Sequence, residues 1–449
     1  MPRTLVETQA VLTFDPARAF VPGGALLVED GRIAAVLAPG ERRAGAPGAT
    51  VVALGDCLAL PGFVQTHLHL CQTLFRGLAE ELDLLDWLSR RIFPLEAAHD
   101  EASMRAAVRL GLLELVRSGT TALMDMGTLR HTEVIGQELE ASGLRAFFGK
   151  TLMDLPGSCP ELHEPAPAAL AEARELAGRF HGRAGGRLRY AFTPRFVLSC
   201  SDGLMRDSFA LAGAYEHSRW HTHASESTRE QQAVHQRCGC GNVEHLDRLG
   251  TLSALSCLAH CVHLSEAEEG ILARTGAHVL HCPGSNLKLA SGIADVPGLR
   301  ARGVSVSLGC DGAACNNTLD MFSEMRLAAL IQKPRHGPAA LPPLAVLEMA
   351  TRGGARALGW EAETGSLEPG KAADVVFLDL HRGWNPTAPA TAEEYAAAVV
   401  YTGRPENVRA VLSHGEWLVR DGRALRWDEV EARARAREAL GALRTRAKL

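Results

Sequence analysis

At 449 residues and 48.0 kDa, the chain is longer than one hydrophobic core usually supports. A (β/α)8 barrel of roughly 250 residues would leave room for a second domain. The composition, 46% apolar and 22% charged, excludes a disordered chain. With 47 Lys and Arg against 52 Asp and Glu, the formal net charge of −5 gives no reason to expect nucleic acid or an anionic membrane as a partner.

Both ends of the chain predict short β-strands. Residues 25–28 and 33–36 are apolar and flank the Asp30-Gly31 step typical of a hairpin turn. Near the other end, strands are predicted at residues 373–378, 408–412 and 417–419. Because the two ends resemble each other and differ from the middle, we expect a small β-sandwich built from both termini.

The middle of the chain alternates short apolar strands with longer helical patterns, as in βαβ units. One helix is predicted over residues 102–117, where apolar side chains recur on one side. The predicted strands end at Thr66, Asp125, Lys150, Thr193, His223, His260, Cys282 and Asp311. Eight strand ends favour a closed barrel over an open sheet. The chemistry of such a barrel lies at the carboxyl ends of its strands.

These patterns predict an α/β protein with two domains. A TIM-like (β/α)8 barrel is expected over residues 58–360, and the β-sandwich is divided between residues 1–57 and 361–449. Within the second part, residues 431–449 are rich in charge and predict a solvated surface helix.

Neither a membrane segment nor a secretory leader is predicted. Charges interrupt the apolar runs before the ~18 residues that a membrane span needs, and residues 1–16 contain Glu7 and Asp15 but no apolar stretch of a signal peptide. The 11 Cys are odd in number and irregularly spaced, which argues against a disulfide framework. A cytoplasmic location is expected.

Histidines at strand ends are the strongest chemical signal. His67 and His69 lie two residues apart at the end of an apolar run, so on a strand both side chains point to the same side. Two converging imidazoles suit a metal such as zinc, although two surface histidines on a loop would give the same pattern. His221 and His223 repeat this spacing and are followed by Glu226, which can reach a metal-bound water.

Two further strand ends carry groups suited to the same site. Asp311 follows an alternating Val/Ser/Leu strand and can supply an oxygen ligand, the alternative being a turn residue or helix cap. His260 ends another apolar strand, where the alternative is a buried structural histidine.

In their order along almost the whole chain, these motifs resemble the amidohydrolase superfamily. The resemblance is to its mononuclear metal-dependent aminohydrolases, which act on purines, pyrimidines and triazines. The matching motifs are Pro61-Gly62-Phe63 with His67 and His69, the His223–Glu226 element, residues 259–263, residues 281–286, Asp311-Gly312 and residues 365–374. The resemblance implies a (β/α)8 barrel flanked by a β-sandwich, in agreement with the pattern of elements.

The resemblance also implies roles for individual residues. The ligands of one divalent metal ion, zinc or alternatively iron or manganese, would be His67, His69, His223 and Asp311. Glu226 would be the proton shuttle, and His260 together with Asp311 would hold water and substrate in line. His221 would then be structural. Other members of the superfamily bridge two metal ions with a carboxylated lysine. The end of the fourth strand has no lysine, which disfavours a two-metal centre here; Lys150, on the third strand, is the nearest candidate.

The predicted pocket is similar to that of deaminases acting on S-adenosylhomocysteine, methylthioadenosine and 5′-deoxyadenosine. In those enzymes the residue matching Trp87 lines the base or 5′ region, and the residue matching Glu96 binds ribose hydroxyls. The alternative for Trp87 is an apolar anchor in the core, and that for Glu96 is a carboxylate at the start of a helix. Arg195 replaces the histidine usual in nucleoside deaminases and matches guanine deaminases. An arginine there can bind a ring carbonyl, and ribose or a carboxylate-bearing 5′ substituent are equal alternatives. His131 and Lys150 are further pocket candidates at strand ends.

We therefore expect hydrolytic deamination of an adenosine-type nucleoside to the inosine analogue and ammonia. Guanine or 8-oxoguanine deamination and triazine amino- or chlorohydrolysis are the catalytic alternatives, and a metal-free scaffold protein is the alternative outside catalysis. The partner is expected to be a small purine-type substrate, and the resembling enzymes imply a homo-oligomer, a dimer or tetramer. Cys315 replaces a serine of the resembling enzymes, which indicates a packing change only.

Overall fold

The structure, a computed structural model, describes residues 3–157, 160–382 and 389–448. Its strands are β1 (Thr4–Leu12), β2 (Phe20–Pro22), β3 (Ala25–Glu29), β4 (Arg32–Leu37), β5 (Thr50–Pro61), β6 (Phe63–His69), β7 (Thr120–Met126), β8 (Arg145–Gly149), β9 (Thr151–Leu152), β10 (Leu188–Pro194), β11 (Arg219–Ala224), β12 (Ser256–His260), β13 (His278–His281), β14 (Val306–Leu308), β15 (Asp311–Gly312), β16 (Val375–Leu378), β17 (Val408–Ser413), β18 (Glu416–Arg420) and β19 (Arg423–Ala424).

Strands from both ends of the chain form one sheet. Its order is β19-β18-β17-β16-β5-β1-β3-β4, with β2 beside β1. The predicted hairpin forms between β3 and β4, and β5 joins the two halves by pairing in parallel with β1 and antiparallel with β16. In this sheet β5 continues through Pro61, beyond residue 57, where the sequence placed the end of the first domain segment. The sandwich form of this unit stays a prediction.

The second sheet curls into the predicted TIM-like barrel. Its strands follow the order β14-β13-β12-β11-β10-β8-β7-β6-β15, with β9 beside β10, and every pair is parallel. Only Lys150 separates β8 from β9, and only Gly309 and Cys310 separate β14 from β15, so the segments make eight barrel strands. Every residue of β6 and β7 is buried, as expected for parallel strands covered on both faces.

The last barrel strand closes the barrel. β14 pairs with β13, whereas β15 pairs with β6 and sets Asp311 opposite Leu68. Between them, Gly309 lies directly against β6: a Cβ atom at this position would be 2.8 Å from both the backbone nitrogen and the backbone oxygen of His67. The close approach therefore requires glycine, and it brings Asp311 to the first barrel strand.

Helices separate the strands and cover the barrel. The helix predicted at 102–117 is present as Glu101–Arg117 and begins where the Asp100 side chain accepts a hydrogen bond from the Ser103 backbone. The α-helices are Arg42–Gly45, Leu84–Trp87, Phe93–Ala97, Glu101–Arg117, Thr132–Ser142, Ala166–Phe180, Asp202–Ala214, Thr228–Cys238, Asn242–Arg248, Glu266–Thr275, Pro283–Lys288, Val296–Ala301, Met321–Ile331, Lys333–His336, Pro343–Glu348, Gly354–Ala357, Ala392–Thr402 and Glu429–Ala447. Within the described ranges, none of these helices is both long and apolar enough to cross a membrane.

The C-terminal helix, Glu429–Ala447, is the predicted charged surface helix and has one apolar edge. Although most of its surface is charged, Leu443 is fully buried and packs in the same apolar cluster as Trp87. Ala436 lies seven residues earlier, on the same face, and joins that cluster. The predicted surface helix is therefore present with most of its residues exposed, and a narrow apolar stripe packs it against the rest of the molecule.

We expect Gly309→Ala to lower the free energy of unfolding by about 2 kcal/mol or more, because the added methyl group meets the His67 backbone and one strand must shift. Urea denaturation measures the loss. Gly178→Ala is the matched control, since Gly178 is helical, exposed and has open space at its Cβ position. Equal stability of the two variants would contradict the role assigned to Gly309.

Candidate metal centre and active site

Four imidazoles and one carboxylate converge at the carboxyl ends of the barrel strands. His67 and His69 lie on β6, His223 on β11, His260 at the end of β12 and Asp311 at the start of β15. One side-chain nitrogen or oxygen from each of His67, His223, His260 and Asp311 lies within 4.8 Å of the others. The strand ends that the sequence singled out are thus brought together in space.

The closest distances fit one small metal ion. Asp311 Oδ1 lies 3.2 Å from His67 Nε2 and 3.3 Å from His69 Nε2. His69 Nε2 is also 3.3 Å from His223 Nε2. Ligand atoms about 2.0–2.1 Å from a tetrahedral ion are about 3.3 Å apart. His67 Nε2 is buried and makes no hydrogen bond within the described part of the chain, so this donor set suits a divalent metal ion.

Backbone carbonyls orient two of the imidazoles. His69 Nδ1 lies 2.7 Å from the carbonyl oxygen of Met126, and His223 Nδ1 lies 2.8 Å from that of Arg195. An imidazole that donates through Nδ1 keeps a lone pair on Nε2, the nitrogen that faces the centre in both cases.

Side chains orient the other two. His67 Nδ1 lies 3.0 Å from His221 Nε2, and His260 Nδ1 lies 2.8 Å from Asn286 Oδ1. His221, expected to be structural, is therefore in direct contact with a residue of the centre. Asn286 belongs to the matching motif of residues 281–286, but the sequence alone gave it no role.

Backbone strain accompanies this geometry. His260 has φ of 75° and Asp311 has φ of 62°, in the left-handed region that non-glycine residues seldom adopt. Such a conformation costs on the order of 1–3 kcal/mol and is concentrated at functional sites. Here the bends fall where two strands leave the barrel and turn their side chains toward the centre.

The two oxygens of Asp311 have different surroundings. Oδ1 faces His67 and His69, while Oδ2 accepts hydrogen bonds from Ser285 Oγ at 2.7 Å and Cys315 Sγ at 3.1 Å. Burial would raise the pKa of Asp311, but the His67 and His69 imidazoles beside Oδ1 hold it well below its ordinary value. The expectation that Cys315 is a packing change only is wrong, because its thiol supports this carboxylate.

Glu226 is positioned by the turn after β11. Ser227 and Glu230 form a capping box at the start of the next helix, and Glu230 Oε2 accepts a hydrogen bond from the Glu226 backbone at 2.6 Å. Glu226 Oε2 lies 3.5 Å from His260 Nε2. Burial, together with the Asp311 and Glu230 carboxylates, raises the pKa of Glu226 well above its ordinary value, which suits a group that must carry a proton.

A cavity lies beside these groups. It is lined by His69, Gln72, Leu84, Trp87, Leu88, Arg195, Phe196, His223, Glu226, Glu230, His260 and Asp311. Two predicted substrate residues, Trp87 and Arg195, are thus in its wall. Trp87 Nε1 is buried and finds no hydrogen-bond acceptor among the described residues, so it is a free donor at this cavity.

Glu96 lies behind the cavity wall in a buried ion pair. Arg195 Nη1 is 2.7 Å from Glu96 Oε2 and Nη2 is 3.2 Å from Oε1, which also accepts a hydrogen bond from Gln72 at 3.0 Å. The guanidinium lies 4.9 Å from the centre of the Phe93 ring. Burial would raise the pKa of Glu96, but the Arg195 charge holds it below its ordinary value. The pair therefore stays ionised out of contact with solvent.

Two other predicted pocket residues lie elsewhere. The buried Lys150 amine contacts Glu164 Oε2 at 2.9 Å, Glu172 Oε2 at 3.0 Å and the Leu129 carbonyl. His131 has φ of 59° and precedes the helix Thr132–Ser142. Among the described residues, neither is part of the cavity wall. The lysine considered for a two-metal centre is thus engaged by carboxylates.

Sequence comparison places the chain in a family. Residues 58–418 match the amidohydrolase family, and the chain belongs to it. It is 40% identical to a 5′-deoxyadenosine deaminase of Methanothermobacter thermautotrophicus over 408 residues, 89% of this chain and 90% of that protein. It is 36% identical to a 5-methylthioadenosine/S-adenosylhomocysteine deaminase of Nitratidesulfovibrio vulgaris, covering 95% and 93% of the two chains. The resemblance drawn from the motifs is thereby confirmed.

Structural comparison agrees. An adenosine deaminase from Xanthomonas campestris, solved with bound zinc, superposes with a TM-score of 0.92 at 31% identity and covers 99% of both chains. Together with the cluster of imidazoles and carboxylate, this supports a divalent metal ion at the carboxyl end of the barrel.

We expect Arg195→Met to destabilise the fold by about 3 kcal/mol, because it leaves the Glu96 carboxylate buried without its partner. Arg195→Met/Glu96→Gln should recover much of this loss, since the unpaired charge is gone. Arg248→Met, in an exposed pair with Glu244, is the control and should change stability by less than about 1 kcal/mol. Thermal unfolding of the metal-loaded variants checks the series; no recovery in the double variant would contradict the prediction.

Proposed function

We propose that this protein is a metal-dependent aminohydrolase that converts an adenosine-type nucleoside to the inosine analogue and ammonia. Its candidate substrates are 5′-deoxyadenosine, methylthioadenosine, S-adenosylhomocysteine and adenosine. One observation carries the proposal: Glu226 Oε2 and His260 Nε2 lie 3.5 Å apart beside the cluster of imidazoles and carboxylate. Both residues line the cavity. The names of relatives at 36–40% identity support the same substrate class.

The proposed ligands of the metal ion are His67, His69, His223 and Asp311. His69 is preferred to His260 because its Nε2 lies 3.3 Å from Asp311 Oδ1, whereas the nearest approach of His260 Nε2 to this carboxylate is 3.9 Å. Zinc is the first choice, with iron or manganese as alternatives that the same donors accept. When bound, a divalent ion lowers the pKa of a water molecule and so supplies hydroxide near neutral pH.

The side chains of the site manage the protons. Glu226 takes one proton from the attacking water and delivers it to the neighbouring ring nitrogen. It then takes the second proton from the oxygen added to the ring and delivers it to the amine, which leaves as ammonia. The ring carbon gains a carbonyl oxygen as its bond to the amine breaks. His260, fixed through Asn286, presents Nε2 between Glu226 and Asp311 and holds the attacking water in line.

The nucleoside is proposed to bind against Trp87 and Arg195, which line the cavity. For Glu96 to accept ribose hydroxyls, as the resemblance implies, its carboxylate must turn from Arg195 toward the cavity. Trp87 offers the unpaired indole N–H, and Arg195 keeps Glu96 ionised behind the wall. Guanine or 8-oxoguanine deamination is the second candidate, because Arg195 lines the cavity and retains N–H donors that can bind a ring carbonyl.

We further propose that the enzyme works in the cytoplasm as a homo-oligomer, with the terminal sheet folded as a sandwich. The ten cysteines that the structure describes are all unpaired, as in proteins of a reducing compartment.

Ammonia release should test the reaction and the substrate together. We expect turnover of at least one adenosine-type nucleoside, and we expect Glu226→Gln to lower kcat by 10³-fold or more while metal content stays at about one ion per chain. The panel should contain 5′-deoxyadenosine, methylthioadenosine, S-adenosylhomocysteine, adenosine, guanine, 8-oxoguanine and a triazine. Turnover of guanine without any nucleoside would overturn the proposed substrate, and full activity of Glu226→Gln would overturn the proton shuttle.

The metal content of two variants tests whether His69 or His260 is a ligand. We expect His69→Ala to lose most of the bound metal, because a first ligand is gone. His260→Ala should retain about one ion per chain while kcat falls. Elemental analysis after dialysis against a weak chelator measures both variants. Metal loss in His260→Ala with retention in His69→Ala would exchange the roles of the two residues.

A further inference from the structure

The imidazoles proposed as ligands differ in the group that contacts Nδ1, the ring nitrogen that faces away from the centre. His69 and His223 meet backbone carbonyl oxygens at 2.7 and 2.8 Å. His67 instead meets a side chain, with its Nδ1 3.0 Å from His221 Nε2. Both rings of this contact are fully buried, and their planes are nearly perpendicular at 88°. Water is therefore kept from substituting for His221.

The positions of the protons follow from the contact. His67 Nε2 must carry a lone pair to bind a metal ion, so the ring proton is on Nδ1. That proton is donated to His221 Nε2, which must then be the acceptor. His221 therefore carries its own proton on Nδ1, an atom that is buried and has no hydrogen-bond partner in the described part of the chain.

We infer that His221 is a positioning residue for the metal centre: it accepts the Nδ1 proton of His67 and thereby fixes the ring orientation and tautomer that leave His67 Nε2 free to bind the ion. This inference rests on the ligand assignment of the proposed function and not on its substrate. Partners of this kind usually change metal affinity 10–100-fold when they are removed.

The same contact joins two strands on opposite sides of the barrel interior. His67 is on β6 and His221 on β11, two residues before the proposed ligand His223. Because side chains two apart on a strand point the same way, His221 and His223 both face the centre. One strand thus supplies a ligand directly and steadies a second ligand through its neighbour.

Metal affinity measured without substrate tests the inference. We expect His221→Leu to raise the Kd for zinc 10–100-fold in a chelator competition assay. His221→Gln, whose amide oxygen can take the place of Nε2, should stay within about threefold of the parent chain. Cobalt substitution gives a second readout, because the visible spectrum of bound cobalt reports a change of coordination.

His281→Leu is the matched control. His281 is also a fully buried barrel histidine, but neither of its ring nitrogens has a hydrogen-bond partner among the described residues, so its removal should leave the Kd within about threefold. If His221→Leu fails to fold, His221→Asn takes its place, since its amide is one methylene shorter and does not reach His67.

Three outcomes would overturn the inference. They are an unchanged Kd in His221→Leu, equal losses in His221→Leu and His281→Leu, and no recovery in His221→Gln. If zinc affinity depends on His221 but the protein deaminates no nucleoside, the proposed function is overturned and this inference stands.

Discussion

The Asp311 carboxylate can meet His67 and His69 only where the barrel closes. One chain segment closes the sheet into a barrel: its first part, β14, pairs with β13, and its second part, β15, pairs with the first barrel strand, β6. Gly309, at the interruption, lets that segment lie against the backbone of His67. The distances of 3.2 and 3.3 Å from Asp311 to the two imidazoles are therefore a consequence of barrel closure. A barrel left open at this point would still contain every chemical group but would not assemble them.

Different neighbours shift the pKa values of the buried carboxylates in opposite directions. Asp311 and Glu226 are both removed from solvent, which by itself raises the pKa of each. Asp311 faces imidazoles, which keep it ionised, whereas Glu226 faces the carboxylates of Asp311 and Glu230, which favour its protonated form. Glu96 is kept ionised by Arg195. Two neighbouring acids with pKa values moved in opposite directions are the arrangement expected of a ligand and a proton carrier.

The barrel and its strand ends could be predicted because buried parallel strands are continuous apolar runs, and because HxH spacing places both imidazoles on one side of a strand. The contacts of Ser285 with Asp311 and of Asn286 with His260 could not, since each joins a strand end to a residue 26 positions away. Cys315 is only four residues from Asp311, but its position alone does not show that the thiol turns back to the carboxylate. His221 carried a visible signal, its spacing from His223, but its partner is on another strand. The charged C-terminal helix was predicted, but its buried edge was not, because the three buried apolar residues stand among many charges and give a weak pattern.

The clustered polar groups and much of the apolar wall of the cavity come from different parts of the molecule. Strand ends of the barrel supply the imidazoles and carboxylates, whereas Leu84, Trp87 and Leu88 of the segment after β6 supply the apolar wall. That segment contacts two helices: Asp83, just before it, pairs with Arg229 of the helix Thr228–Cys238, and Trp87 shares an apolar cluster with Leu443 of the C-terminal helix. Because this wall makes no contribution to the ligand set, its shape can vary while the reacting groups stay fixed. The same centre can therefore serve substrates of different size across a family, as loops vary on a rigid scaffold.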